Sequence, residues 1–209
     1  MLKRILRELA SHGPFTLLGA VGGVAILLLF HFARIPEHVS HTMFQIFHPL
    51  HVVLSALVTA GVYRLYKKAN VWKTIVIGVV GAIGIGTLSD CLMPWLGEVL
   101  LGMEHAEGHI GFIDMWYFVW PGALLGVGLA WVVPYTRVPH AGHVFLSTAA
   151  SLFHILMAKG EQLQVATIVV IPFVLALAVW VPCCTSDIIF PLLFVGKDAE
   201  HVHGKAHSH

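Results

Sequence analysis

Six stretches of the chain stay apolar long enough to cross a bilayer, and short polar segments separate them. By number they cover 14–32, 49–66, 72–96, 113–133, 143–158 and 164–195. A hydrocarbon core about 30 Å thick takes about 20 apolar residues as a helix. The pattern therefore predicts an all-α fold, a polytopic membrane protein of six transmembrane helices. The last stretch is overlong. Pro172 and Pro182 inside it predict a kinked or broken helix, because proline removes a backbone donor and clashes with the preceding turn. The fifth stretch is short and carries His154.

Residues 1–13 form a basic lead with Lys3, Arg4 and Arg7. A cleaved signal peptide needs a small-residue site after its apolar run. Phe30-His31-Phe32-Ala33-Arg34 is a poor one, so the first span is expected to be retained. Hydrophobic residues make up 57% of the 209 positions and Asp, Glu, Lys and Arg only 11%. Soluble domains carry roughly a quarter charged residues, so lipid is the expected solvent and the bilayer the first partner. The formal net charge of +1 gives no reason to expect a nucleic-acid partner. Cys91, Cys183 and Cys184 suggest no disulfide framework, and the adjacent pair in its apolar stretch reads as small packing residues.

Lys and Arg set the orientation. With the N-terminus inside, the inner segments hold Lys3, Arg4, Arg7, Arg64, Lys67, Lys68, Lys73, Arg137, Lys197 and Lys205, and the outer ones only Arg34 and Lys159. Both termini are then expected to be cytoplasmic, as in a bacterial or archaeal inner membrane. Glu98 and Asp114 join the outer loop, whose central part, 104–112, carries Glu104, His105, Glu107 and His109 without Lys or Arg.

The chain also repeats itself. Gly19-x-x-x-Gly23 and Gly122-x-x-x-Gly126 each open a span, and Arg34 and Arg137 follow 15 residues after the first glycine. His48-x-x-His51-Val52-x-Leu54-Ser55 matches His140-x-x-His143-Val144-x-Leu146-Ser147. Ser89-Asp90 with Pro94 matches Ser186-Asp187 with Pro191. Three landmarks in one order predict a duplication: residues 14–103 and 113–196 as two three-helix repeats, with 197–209 as a His-rich cytoplasmic tail. Three spans are an odd number, so the second copy enters from the opposite side. The result is a 3+3 inverted-topology repeat, similar in plan to small secondary carriers such as the lysine-exporter-like superfamily.

Histidine is the chemical anomaly: 15 residues, against 12 Lys and Arg together. Two histidines three apart share a helix face, and imidazole is the common protein ligand for Zn, Ni, Co and Fe. Intramembrane carboxylates are costly and mark function. The expected metal ligands are therefore His48, His51 and Asp90 in one half and His140, His143 and Asp187 in the other. Ser55, Ser89, Ser147 and Ser186 are expected beside them, as weak ligands or as hydroxyls that orient the ligands. Counting residues along the spans puts the first set towards the outer side and the second towards the inner, hence two half-sites. The plain alternative makes each His pair a polar cap at a helix start, which Pro49 suits.

Arg34 and Arg137 are span-end anchors whose side chains snorkel, or gates, Arg34 with Glu37. Glu104, His105, Glu107 and His109 are candidates for peripheral metal capture, as are His201, His203, His207 and His209 in the tail. The glycines read as packing positions.

These features favour a carrier or channel for a divalent transition metal (Zn, Ni, Co, Mn or Fe) over an enzyme, with proton coupling and a homo-oligomer open. Two alternatives stand beside it. One is an intramembrane metal-dependent enzyme acting on lipid. The other is a bis-His haem protein drawing on His31, His51, His143 and His154.

Overall fold

Most described residues of the apolar stretches fall in helix. In this computed structural model the described residues are 2–66, 70–133, 137–158, 165–184 and 189–194. In chain order they form α1 (Leu2–Phe32), α2 (Glu37–Tyr66), α3 (Val71–Thr87), a π-helical turn (Leu88–Leu92), α4 (Met93–Leu100), α5 (Gly111–Asp114), α6 (Trp116–Leu129), α7 (Arg137–Ala158), α8 (Val165–Cys184) and α9 (Phe190–Leu193). No strand occurs among the described residues. Two helical runs are long and apolar enough to cross a membrane: Glu37–Leu65, with 29 residues, and Val71–Leu100, with 30. Four shorter apolar runs are Thr16–Phe32, Trp116–Leu129, Gly142–Ala158 and Thr167–Cys183.

Local chemistry explains the boundaries. After α1 the chain reverses through Arg34, whose φ is +50°. Arg34 N–H donates to His31 O and Ile35 N–H to Phe30 O, the paired bonds that close a helix end through a left-handed residue. Arg34 is exposed and forms no ion pair with Glu37 among the described residues. Asn70 caps α3, its side chain accepting from the N–H groups of Trp72 and Lys73, which uses donors that a helix start leaves unmet. In the overlong sixth stretch α8 runs through Pro172 and Pro182 to Cys184, and residues 185–188 lie outside the described residues.

One boundary corrects the sequence expectation. The second helix begins at Glu37 rather than near Pro49, so Pro49 lies inside α2. His48 and His51 are consequently mid-helix residues, about 16–21 Å from the helix start at 1.5 Å per residue, and not caps.

Around α2 pack α3, α6 and α7, while α1 lies against α7 and α8, and α3 also meets α6. Leu27, Val52, Ala56, Ala123, Leu152 and Leu175 are buried where these helices meet. Small residues set the spacing. A Cβ on Gly126 of α6 would fall 2.1 Å from the Val53 carbonyl oxygen of α2, so only glycine permits this approach. At the α1–α7 contact, Gly19 similarly faces Thr148. Polar side chains lie inside: His48, His51, Ser55, Ser89, Asp90 and His143 are all 0% exposed. Large apolar side chains lie outside, among them Leu18 at 73%, Phe145 at 63% and Phe173 at 67% exposed.

Candidate metal centre

Asp90 stands in the π-helical turn. Met93 N–H reaches back five residues to Leu88 O there, instead of four. Such a turn widens the helix and is common at functional sites. Here it turns Asp90 into the space between α2 and α7, where four donors meet one carboxylate. Nδ1–H of His48 and of His51 both donate to Oδ2, at 2.9 and 2.6 Å. The hydroxyls of Ser89 and Ser147 donate to Oδ1, at 2.6 and 3.1 Å. Ser151 extends the network, its hydroxyl shared between the carbonyl oxygens of Ser89 and Ser147.

The arrangement assigns the imidazole tautomers. A carboxylate only accepts, so Nδ1 carries the proton in His48 and His51, and each Nε2 keeps a bare lone pair. Asp90 thereby orients the rings of His48 and His51 through their Nδ1 atoms. Carboxylate–histidine pairs behind metals work this way, fixing the ring and raising its basicity.

The two His rings face different surroundings. His48 stacks on Phe44, with ring centroids 5.3 Å apart and planes 11° apart. Its Nε2 abuts Gly111, where an added Cβ would fall 2.1 Å away. His51 instead stacks on His143 of α7, with centroids 4.6 Å apart. Candidate ligand atoms of His51, His143 and Cys183 lie within 4.8 Å of one another, and all three residues are buried. Imidazole and thiolate are the donors of Zn²⁺ and Co²⁺ sites, and a three-ligand set leaves a position open.

The sequence-derived sets are thus regrouped. His48, His51 and Asp90 do come together, and His143 and Ser147 from the second half join them. Of the second expected half-site, only His143 and Ser147 have described side chains. Ser55 is buried on α2. His140 and Arg137 lie in the first turn of α7, with their side chains outside the described residues. Ser186, Asp187 and the tail histidines His201, His203, His207 and His209 also lie outside them.

Cys183, read from sequence as packing, belongs to the cluster. One signal pointed to it: Cys183 stands four residues before Asp187, as Gly86 stands four before Asp90. Four residues is the spacing of a shared helix face, and a Cβ at Gly86 would lie 3.8 Å from the His48 ring and 4.0 Å from the His51 ring.

A second carboxylate is buried nearby. Glu98, assigned from sequence to the outer loop, is 1% exposed on α4, and its Oε1 accepts from His154 Nδ1 at 2.7 Å. Of the loop residues, Glu104, His105 and Glu107 lie on the surface, and His105 N–H donates to Ala158 O. His109 turns its ring edge-on to His154, with centroids 5.5 Å apart.

Comparison with known proteins returned no match among family models, curated proteins or solved structures.

Proposed function

We propose that this chain is an integral membrane carrier for a divalent transition-metal ion, built as two oppositely oriented three-helix modules around one buried site. The observation that carries the reading is the convergence of His51, His143 and Cys183, drawn from both halves, beside an Asp90 that already holds two imidazoles by Nδ1. Two modules that share a site can rock about it and expose it to one face and then the other, which is how inverted-repeat carriers work.

The membrane part rests on an inside-out distribution of polarity. Histidine, serine and carboxylate side chains are buried, while Leu18, Phe145 and Phe173 face outward. Lipid, unlike water, is a good solvent for that surface. Trp116, Trp120, Trp72 and Trp131 are exposed close to helix ends, as in the aromatic belts of membrane interfaces. Helix pairing supports the inverted repeat. Exchanging α1 with α6, α2 with α7 and α3–α4 with α8–α9 maps α2·α6 onto α7·α1, α2·α3 onto α7·α8 and α1·α8 onto α6·α3, and all of these contacts occur.

Cys183 must lose its proton to bind a metal, so loading releases a proton and unloading takes one up. That coupling is the physical basis for metal–proton exchange. The donor set favours Zn²⁺ and Co²⁺ over Mn²⁺, which prefers oxygen. The stacked rings of His51 and His143 do not aim their nitrogens at one another through a shared iron, so the geometry favours a metal ion over bis-His haem.

The test is uptake into proteoliposomes with and without a pH gradient. Zn²⁺ or Co²⁺ uptake is expected, falling at least about tenfold in His143→Ala with Cys183→Ser, as removal of metal-site groups does. Failure of Zn²⁺, Ni²⁺, Co²⁺, Mn²⁺ and Fe²⁺ alike to move, in either condition, overturns the proposal.

A further inference from the structure

Glu98 and His154 form a buried pair that the metal site does not use. Both are 1% exposed, and His154 Nδ1–H donates to Glu98 Oε1 at 2.7 Å. A carboxylate beside a neutral imidazole carries one net negative charge. No Lys or Arg forms an ion pair with Glu98 among the described residues, and Glu98 Oε2 is buried without a hydrogen-bond partner. A desolvated charge is costly unless something compensates it. One added proton makes the pair neutral, either as carboxylic acid beside imidazole or as carboxylate beside imidazolium.

The surroundings give a proton a way in. His109 is half-buried on the loop after α4, and its ring meets His154 edge-on. One imidazole therefore touches both the surface and the pair. Inward, the polar file of α7 continues through Ser151, which bonds Ser89 O and Ser147 O, to Ser147, which donates to Asp90. Chains of histidine and carboxylate are what intramembrane proton relays are built from.

Few other ionisable groups lie near. Cys91 of the π-helical turn is within electrostatic range of Glu98, Asp90 and Asp114. His48 of α2 lies across the Phe44 ring from His154. Next to Glu98, α8 presents Val174 against Gly97. Next to His154, α1 presents Phe30 against Phe153.

We propose that the Glu98–His154 pair is a proton-binding site, and that its proton is the one exchanged against the metal ion. Proton binding stands on the geometry of the pair; exchange rests on the carrier reading. Glu98 lies eight residues beyond Asp90, about 12 Å along the helix. At that distance and an effective dielectric constant of about 20, each unit of charge changes the affinity for the other by about tenfold. A cation arriving at His51, His143 and Cys183 thus displaces the proton of the pair, and the proton weakens the hold on the cation.

The first test is a difference potentiometric titration of the purified full-length chain in detergent, parent against Glu98→Gln. Glutamine keeps an acceptor for His154 Nδ1–H but binds no proton. Between about pH 8 and about pH 5, the range in which histidine changes charge, the parent is expected to take up one more proton per chain. Equal uptake overturns the proton site, whatever the metal does.

The second test is Co²⁺ affinity at both pH values, followed by the thiolate-to-metal charge-transfer absorption of the Cys183 site. At the higher pH the parent carries the extra negative charge and is expected to bind Co²⁺ about tenfold tighter than Glu98→Gln. At the lower pH both pairs are neutral and the affinities converge. A merely structural role for Glu98 gives a ratio that does not move with pH, and that result overturns the exchange while the proton site and the carrier reading stand. If neither protein binds Co²⁺, the carrier reading falls and the exchange with it, and the potentiometric difference alone decides the proton site.

Discussion

Asp90 and Glu98 are two buried carboxylates on one continuous helical run, and they are used in opposite ways. Asp90 accepts from four donors, so both of its oxygens are engaged. Glu98 accepts from one, and its second oxygen is bare. A saturated carboxylate is scaffold: it locks imidazoles and hydroxyls in place and has little left to offer an ion. An unsaturated one holds reserve binding capacity at a cost in stability. Burial alone therefore does not mark a ligand; the number of donors already satisfied decides.

The largest expected effect follows from this difference. Asp90→Ala strands two imidazole N–H groups and two hydroxyls, and losing one member of a buried charged network costs about 3–5 kcal/mol. Glu98→Ala strands a single N–H, for about 1–3 kcal/mol. Thermal unfolding of the purified variants in detergent measures both, and equal losses would break the comparison.

Gly111→Ala comes next. Its Cβ would fall 2.1 Å from His48 Nε2, so His48 must leave Asp90 or α5 must retreat. Overpacking of this kind costs about 1–3 kcal/mol. The expected result is a lower melting temperature together with a changed His48 imidazole signal in NMR. An unchanged signal would show that α5 retreats and Asp90 holds His48 in place.

Ser147→Ala is the smallest. It removes one of four donors and should cost about 1 kcal/mol, leaving Co²⁺ stoichiometry intact. Loss of metal in this variant would make the hydroxyl a ligand and blur the line between scaffold and site.

Much of the site was legible in the chain. His48, His51 and the Ser89-Asp90 step stand out in the sequence and do meet in the interior, and Gly126 packs against α2. A further polar stripe was visible too: His143, Ser147, Ser151 and His154 recur at helical spacing along α7, and all four are buried. What misled was depth. Counting from an apolar boundary put His48 at a helix start, yet the polar run from Glu37 continues as helix, with Pro49 in its interior. The same assumption kept Glu98 in a loop, although α4 carries it inward.

Hydrophobic period is a local property, so the amino-acid order alone determined helical character and the identity of the chemically distinctive residues. Distance between residues far apart in sequence is not local. Asp90 meets Ser147, and His51 meets His143 and Cys183, only because glycine contacts let helices approach closely and a widened turn swings the carboxylate between α2 and α7. Partners also decided the roles. Whether a buried carboxylate is saturated, as Asp90 is, or keeps a bare oxygen, as Glu98 does, depends on how many donors surround it, and packing alone supplies them.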